Sequence, residues 1–211
     1  MVATEFHIDT PRLVISHFDS LQDSHCDFLV TLYDTEQSRD HKPVHSLMPD
    51  REAARKNIES NDLIYSTGYG RYLVSLKTPT TSATSEAEVI PFSERVKAYT
   101  KIGVVGLKFR KYEGAPLAPD VGYGLLPAFQ GRGYATEAAA ALVRWFEEEK
   151  GQTEFFGFCD PDNEGSKAVL RRIGFKEWGV RNIKGIYADG GLIVGMVFSK
   201  GLTKDLEAYR I

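Results

Sequence analysis

The residues best suited to bind a ligand form the stretch 130–135, with the sequence Gln-Gly-Arg-Gly-Tyr-Ala. It follows an apolar run over residues 121–126 and opens an amphipathic run from Ala135 to Phe146, a pattern typical of a strand that turns into a helix. Glycine has no Cβ atom to keep a ligand away, and the first N–H groups of a helix converge on an anion. The stretch therefore predicts a phosphate site built from main-chain groups. The alternative is a turn whose glycines only let strand and helix pack.

Two other phosphate-binding motifs do not fit this stretch. A Walker A loop needs Lys and Ser or Thr directly after its last glycine, but Tyr134 and Ala135 follow Gly133. A dinucleotide-binding fingerprint needs a third small residue where Thr136 stands. Arg132 could add a phosphate contact, or could equally be a solvated loop arginine.

Composition limits the classes of function open to this chain. Its 211 residues with 42% hydrophobic content can bury one sizeable core, and a formal net charge of −3 gives no general attraction to nucleic acid. Cys26 and Cys159 form neither a disulfide framework nor a metal-ligand cluster, and no run reaches the ~18–20 apolar residues that span a bilayer. We therefore expect a cytoplasmic monomer or homodimer that uses no metal and binds neither nucleic acid nor membranes. Its partner is expected to be small or peptide-like.

The first half of the chain predicts short elements around a long polar connection. Asp50 is placed to cap a helix that runs to about Ser60. Residues 77–101 contain a Thr- and Ser-rich stretch that is too polar to pack, which predicts a mobile insertion. The other predicted elements are a strand at residues 12–15, a helix at residues 26–33, and strands at residues 69–76 and 102–109 that pair as a hairpin.

The second half has clearer periodicity and predicts the rest of one α/β domain. Apolar residues at positions 135, 138, 139, 142, 143 and 146 form the buried stripe of a helix that ends near Lys150 and Gly151. Gly174 is placed to end a shorter helix marked by Val169, Leu170 and Ile173. The other predictions are strands at residues 154–159, 176–183 and 192–199, a tight Asp-Gly turn at residues 188–191, and a peripheral tail over residues 200–211.

Several of these stretches together resemble the GNAT superfamily of N-acetyltransferases. The pattern Gln-x-x-Gly-x-Ala of residues 130–135 resembles the family's acetyl-coenzyme A pyrophosphate loop, and residues 120–127 resemble its fourth strand. Residues 163–175 resemble its later coenzyme A-contacting segment, and residues 10–13 resemble the subgroup that includes ribosomal-protein N-terminal acetyltransferases. The resemblance covers most of residues 10–199 except the insertion. It implies an α/β (α+β) fold with a mixed, mainly antiparallel twisted sheet flanked by helices.

The resemblance implies that acetyl-coenzyme A (acetyl-CoA) is the acetyl donor. Its pyrophosphate would be held at Gln130 and by the N–H groups of Gly131, Arg132, Gly133, Tyr134 and Ala135. Its pantetheine would pair with Leu125 and Leu126 like an added strand. Asn163 would bond the pantetheine amides or cap a helix, and Ser166 would steady the departing sulfur or be a helix-start serine.

For catalysis, the resemblance implies direct attack by a primary amine in a ternary complex. Asp120 occupies the place of a family glutamate, where it would act as a base through water or be a surface loop carboxylate. Leu170 stands where the family often has a tyrosine acid, and the subgroup's acidic residue is not evident at residues 182–185. The expected acceptor is a protein N-terminus or a small amine. The alternative to an enzyme is a catalytically inactive acyl-CoA-binding or regulatory module.

In such folds the acceptor cleft lies between the N-terminal helices and the last hairpin, which points to residues 38–49, 65–72 and 184–191. His41 and His45 would be bases there, although single histidines in polar loops are more often solvated. Three tyrosines, Tyr65, Tyr69 and Tyr72, would line the cleft or pack on the sheet.

Overall fold

Eight strands form one sheet in the computed structural model, which describes residues 5–34, 48–61, 63–78, 91–186 and 191–211. The strands are β1 (His7–Asp9), β2 (Leu13–Ser16), β3 (Gly70–Leu76), β4 (Thr100–Lys108), β5 (Asp120–Leu125), β6 (Phe155–Cys159), β7 (Lys176–Ile183) and β8 (Ile193–Lys200). Their order in the sheet is β1-β2-β3-β4-β5-β6-β8-β7. The pairs β1–β2, β2–β3, β6–β8 and β7–β8 are antiparallel, whereas β5 and β6 are parallel. The prediction of a mixed, mainly antiparallel sheet flanked by helices is confirmed.

The described ranges contain the helices α1 (Asp23–Tyr33), α2 (Arg51–Glu59), α3 (Leu63–Thr67), α4 (Phe92–Arg95), α5 (Tyr134–Lys150) and α6 (Glu164–Arg172). Short 3₁₀ helices lie at Val96–Ala98, Pro127–Phe129 and Leu206–Tyr209. None of the helices in these ranges is long and apolar enough to cross a membrane. The chain divides into two units, the first being Met1–Val105 with Gly124–Tyr134 and the second Gly106–Tyr123 with Ala135–Ile211.

The core of the first unit is built from apolar side chains of α1, α2, β3 and β4. Asp50 caps α2 by accepting a hydrogen bond from the Ala53 N–H at 2.8 Å, as predicted. Every residue of β2 is buried, which matches the β-branched run that predicted this strand. The core side chains are Phe18, Cys26, Phe28, Leu29, Leu32, Met48, Ala54, Ile58, Leu73 and Val104.

The predicted insertion at residues 77–101 is ordered at its C-terminal end. Residues 92–98 form α4 and a 3₁₀ helix, and β4 already begins at Thr100. The order has a physical cause, because Phe92 is buried and its ring stacks on His7 of β1 with centroids 4.0 Å apart. The strand β1 and the helix α3 were not predicted. Residues 79–90 of the insertion lie outside the described residues.

The second unit confirms most of the periodic patterns. The stripe of α5 is buried at residues 138, 139, 142, 143 and 146, and the helix ends before Gly151, which has a left-handed φ of 63°. Helix α6 ends before Gly174, whose φ is 86°, and Phe175 is buried beside it. The strands β6, β7 and β8 match the predicted strands within one residue at each end. The predicted Asp-Gly turn lies mostly outside the described residues.

The segment after β8 is not a peripheral tail, so that prediction is wrong. Leu206 and Tyr209 lie three residues apart on a 3₁₀ helix, where side chains at this spacing align, and each is only 6% exposed. They pack with Phe156, Ile183 and Val197 in the core of the second unit. The Tyr209 hydroxyl also donates a hydrogen bond to the Glu154 carboxylate. Leu202 and Ile211 pack against the same core, so apolar side chains along the whole segment hold it in place.

Replacing Leu206 with alanine should lower the free energy of unfolding by about 2–4 kcal/mol, because it opens a cavity in this core. Urea denaturation of wild type and variant measures the change. Leu192→Ala is the matched control, since Leu192 is 59% exposed and its loss should cost less than about 0.5 kcal/mol. Equal stability of the two variants would show that the C-terminal segment is not part of the core.

Candidate functional site

The turn between β5 and α5 is an open main-chain surface. Gly131 has a φ of 73° and Gly133 a φ of 80°, both in the left-handed region that residues with a Cβ rarely adopt. A Cβ atom placed on Gly131 would meet no atom of the described residues within 4 Å. Gln130, Arg132 and both glycines are exposed, and α5 begins directly after them at Tyr134. A ligand can therefore approach the backbone of this turn and the first N–H groups of α5 without obstruction.

Side chains fasten this open turn at both ends. At its start, the Gln130 Nε2 donates to the Leu125 carbonyl at 3.0 Å, and the Leu126 N–H donates to Ile102 of β4 at 2.9 Å. Gln130 therefore closes the turn with its side chain. The Leu126 N–H is already committed to the sheet, while the Leu125 carbonyl keeps a second lone pair that can accept another hydrogen bond.

At its other end the turn is held by Arg12, which precedes β2. The Arg12 Nη1 donates to the main-chain carbonyl of Arg132 at 3.1 Å, and its guanidinium carbon lies 4.5 Å from the centre of the Tyr134 ring. Two cationic side chains, Arg12 and Arg132, thus accompany the N-terminus of a 17-residue helix. Left-handed glycines, the N-terminus of a helix and positive charge are the features that a main-chain anion site requires.

The strands β5 and β6 pair only at their beginnings. Asp120 lies opposite Phe156 and Val121 opposite Gly157, and the ladder stops there although β5 continues through Gly122 and Tyr123. Strand pairing that ends early leaves main-chain groups of β5 available to an extended ligand with amide groups.

In the second unit, Asn163 and Ser166 lie at the start of α6. The Asn163 Oδ1 accepts a hydrogen bond from the Ser166 N–H at 2.9 Å, so Asn163 caps this helix, which was one of its two predicted roles. Tyr123 of β5 donates its hydroxyl to the Ser166 carbonyl at 2.9 Å, and burial raises the pKa of Tyr123, so that the phenol stays protonated at neutral pH. Tyr123 was not predicted, because nothing in its sequence neighbourhood links it to Ser166.

Leu170 is a core residue of the second unit. It is 1% exposed, and its Cδ2 lies 2.4 Å from the position that a Cβ on Gly157 would take. The close approach of α6 to β6 therefore requires both a glycine at 157 and an apolar side chain at 170. A phenol cannot take the place of Leu170 without a change in this packing.

The comparison with protein families decides the identity of the fold. A family described as the acetyltransferase (GNAT) domain matches residues 12–176. The chain belongs to the GNAT acetyltransferase family. GNAT acetyltransferases use acetyl-CoA, and the open turn between β5 and α5 fits the pyrophosphate of that cofactor by its left-handed glycines and its positive surroundings.

Individual proteins that resemble this chain are also acetyltransferases. The uncharacterized N-acetyltransferase YnaD of Bacillus subtilis is 32% identical over 71 residues, which cover 34% of this chain and 41% of YnaD. A Salmonella typhimurium acetyltransferase that modifies the N-terminal serine of ribosomal protein L7/L12 has a TM-score of 0.63 at 22% identity, over 93% of this chain and 99% of its own. The microcin C7 self-immunity acetyltransferase MccE, solved with acetyl-CoA and AMP, has a TM-score of 0.65 at 17% identity, over 92% of this chain and 94% of the MccE chain. The two structures share the fold of this chain.

Asp120 of this GNAT protein is not a surface loop carboxylate. It is 6% exposed, and its two oxygens accept hydrogen bonds from Arg110 Nε at 2.5 Å and Arg110 Nη2 at 2.7 Å. Arg110 also donates to the Ile186 carbonyl at 3.5 Å. Because both oxygens of this carboxylate are engaged by one guanidinium, the geometry favours a structural role over that of a general base.

The Arg110–Asp120 pair supports a close contact between two loops of the second unit. Gly185 has a φ of 69°, and a Cβ atom on it would lie 2.5 Å from the Ala115 main chain. The neighbouring Ile186 is held by Arg110. The segment at residues 184–186, which belongs to the predicted acceptor region, is therefore fixed by an ion pair at the start of β5.

The structure describes the three tyrosines expected near the acceptor but not the two histidines. His41 and His45 lie outside the described residues. Tyr72 is fully buried in β3, as expected for packing on the sheet, while Tyr69 precedes this strand and Tyr65 is exposed on α3. Another histidine, His25 of α1, is buried, and desolvation lowers its pKa to about 4, with a further contribution from Lys101. His25 accepts a hydrogen bond from the Asp19 N–H and is a neutral structural residue at pH 7.

Asp120→Asn should lower the free energy of unfolding by about 3 kcal/mol, because it leaves the Arg110 charge without its counter-ion. Residual acetyl transfer should keep the pH profile of the wild type. Denaturation and a pH–rate profile measure the two effects, with the exposed Asp205→Asn as control. Unchanged stability together with a lost acid limb of the pH profile would instead identify Asp120 as the base.

Proposed function

We propose that this protein is an acetyl-CoA-dependent N-acetyltransferase that transfers an acetyl group to a primary amine by direct attack in a ternary complex. The observation that carries the proposal is the left-handed pair Gly131 and Gly133 at the start of α5, within a family whose members use acetyl-CoA. When bound, acetyl-CoA supplies an activated acetyl thioester. The protein supplies binding, orientation and the protonation state of the acceptor.

Each part of the cofactor has residues suited to hold it. The N–H groups of residues 131–135 bind the pyrophosphate at the positive end of α5, with Arg132 adding charge. The main chain of β5 near Leu125 binds pantetheine amides where the pairing of β5 with β6 has ended. Asn163 and Ser166 lie at the start of α6, where the Ser166 hydroxyl is the group suited to the sulfur.

Within the described ranges, the groups considered for proton transfer favour an acceptor that loses its proton easily. Asp120 is held by Arg110, and Leu170 stands in place of a phenol. Neutralising a lysine side chain at pH 7 costs about 4–5 kcal/mol, whereas an α-amine with a pKa near 7.7–8.0 costs only about 1 kcal/mol. We therefore propose a free α-amine, such as a peptide N-terminus, as the acceptor. The N-terminal serine acceptor of the Salmonella relative is of this chemical type.

The cofactor site is tested by a pair of glycine variants. Gly131→Ala and Gly151→Ala both place a Cβ atom at a left-handed position with open space around it, so each should cost about 1–2 kcal/mol of stability. Only Gly131→Ala should weaken coenzyme A binding, by about tenfold or more, because its Cβ occupies the space of the pyrophosphate. Isothermal titration calorimetry measures the affinities. Equal coenzyme A affinity of the two variants would show that the turn at Gly131 does not bind the pyrophosphate.

The acceptor is tested by release of the coenzyme A thiol with a set of amines. We expect turnover with peptides that have a free N-terminus, and much less with the same peptides when the N-terminus is blocked and only a lysine side chain remains. Faster turnover with polyamines or amino sugars would overturn the α-amine assignment but keep the acetyltransferase. Tight coenzyme A binding without release for any amine would instead support an inactive acyl-CoA-binding module.

A further inference from the structure

Arg12 stands 120 positions before Arg132 of the phosphate turn, yet its guanidinium contacts the turn at two points. It donates to the Arg132 carbonyl at 3.1 Å, lies over the Tyr134 ring, and has its Nη2 3.4 Å from the position of a Cβ on Gly133. We propose that Arg12 is a positioning residue, which fixes the orientation of the phosphate-binding N–H groups from behind the turn. The nature of the ligand in this proposal rests on the proposed function.

The stereochemistry of the peptide bond gives Arg12 this role. In a trans peptide the C=O and the following N–H point in opposite directions. Because the Arg132 carbonyl points towards Arg12, the N–H of Gly133 points to the other side of the turn. A guanidinium that holds this carbonyl therefore directs a hydrogen-bond donor away from itself and towards the side open to an anion.

A glycine-rich turn needs such a support. Glycine has more backbone freedom than any other residue, so the turn would otherwise lose much entropy when it orders around a ligand. Fixing the turn before binding removes this cost from the binding step. The Arg12 guanidinium lies directly beside Gly133, since its Nη2 is 3.4 Å from the position that a Cβ would take there.

The backbone of Arg12 is itself held firmly. The Lys77 N–H donates to the Arg12 carbonyl at 2.9 Å, and the Lys77 ammonium donates to the Thr10 carbonyl at 2.6 Å. The same ammonium forms an ion pair with Asp9 at 2.6 Å. Residue 13 then enters the fully buried β2. Arg12 thus extends from an anchored segment, which a positioning residue requires.

The geometry distinguishes positioning from a simple effect of charge. A guanidinium is planar and can donate to a carbonyl while it stacks on an aromatic ring, whereas a lysine ammonium keeps the charge but cannot do both. Arg12→Lys should therefore behave much like Arg12→Ala if Arg12 positions the turn. It should behave like the wild type if only the charge matters.

The first measurement is ¹⁵N relaxation of the protein without ligand, which reports the backbone order of each residue. In Arg12→Ala and Arg12→Lys, residues 130–136 should have lower order parameters than in the wild type, while the melting temperature changes little because Arg12 is exposed. The control is Arg181→Ala, which removes an exposed arginine that also donates to a main-chain carbonyl, that of Val180. Unchanged order parameters of the turn in the Arg12 variants would overturn the proposal.

The second measurement is coenzyme A affinity by calorimetry, where both Arg12 variants should bind about tenfold more weakly, as loss of a charged hydrogen bond suggests. Full affinity in Arg12→Lys would mean that charge alone acts, which also overturns the proposal. Failure of the wild type to bind coenzyme A would overturn the proposed function instead. In that case the relaxation measurement still decides whether Arg12 positions the turn.

Discussion

The turn from β5 to α5 has to be open and fixed at the same time, and the rest of the site depends on how this conflict is resolved. An anion bound by main-chain N–H groups needs a backbone without side chains in the way, hence the left-handed Gly131 and Gly133. The same glycines also give the backbone more conformational freedom. Two side-chain hydrogen bonds fix the backbone of the turn. Gln130 donates to the Leu125 carbonyl at one end, and Arg12 donates to the Arg132 carbonyl at the other.

A second constraint operates at the start of β5, where the buried Asp120 and the half-buried Arg110 form an ion pair. Removing both charges from water costs much of the free energy that their attraction provides, so the pair adds little net stability. Its main effect is to fix the positions of the groups around it. Arg110 holds Ile186, next to the close contact of Gly185 with Ala115. Through Arg110, the Asp120 carboxylate thus helps to determine the path of the loop at residues 184–186.

Patterns within one element were predictable, and contacts between distant segments were not. The helix α5, the cap at Asp50 and the glycine that ends α6 follow from residues a few positions apart, where periodicity and capping act. The burial of Phe92 depends on His7, that of Leu206 on Phe156, and the role of Arg12 on Arg132. In each case the partner is many residues away, so neither composition nor spacing could reveal it. The contact of Tyr123 with Ser166 could not be predicted for the same reason.

Leucine at position 170 shows how packing restricts catalysis. The side chain fills the space that Gly157 leaves between α6 and β6, so a polar ring there would clash with the strand. A site without this phenol can still release a thiol, because a thiol pKa near 8.5 lets much of the leaving group depart as thiolate. Activation of the amine is then the harder requirement. It is least demanding when the acceptor is an α-amine, since a measurable fraction of such an amine is already neutral at pH 7.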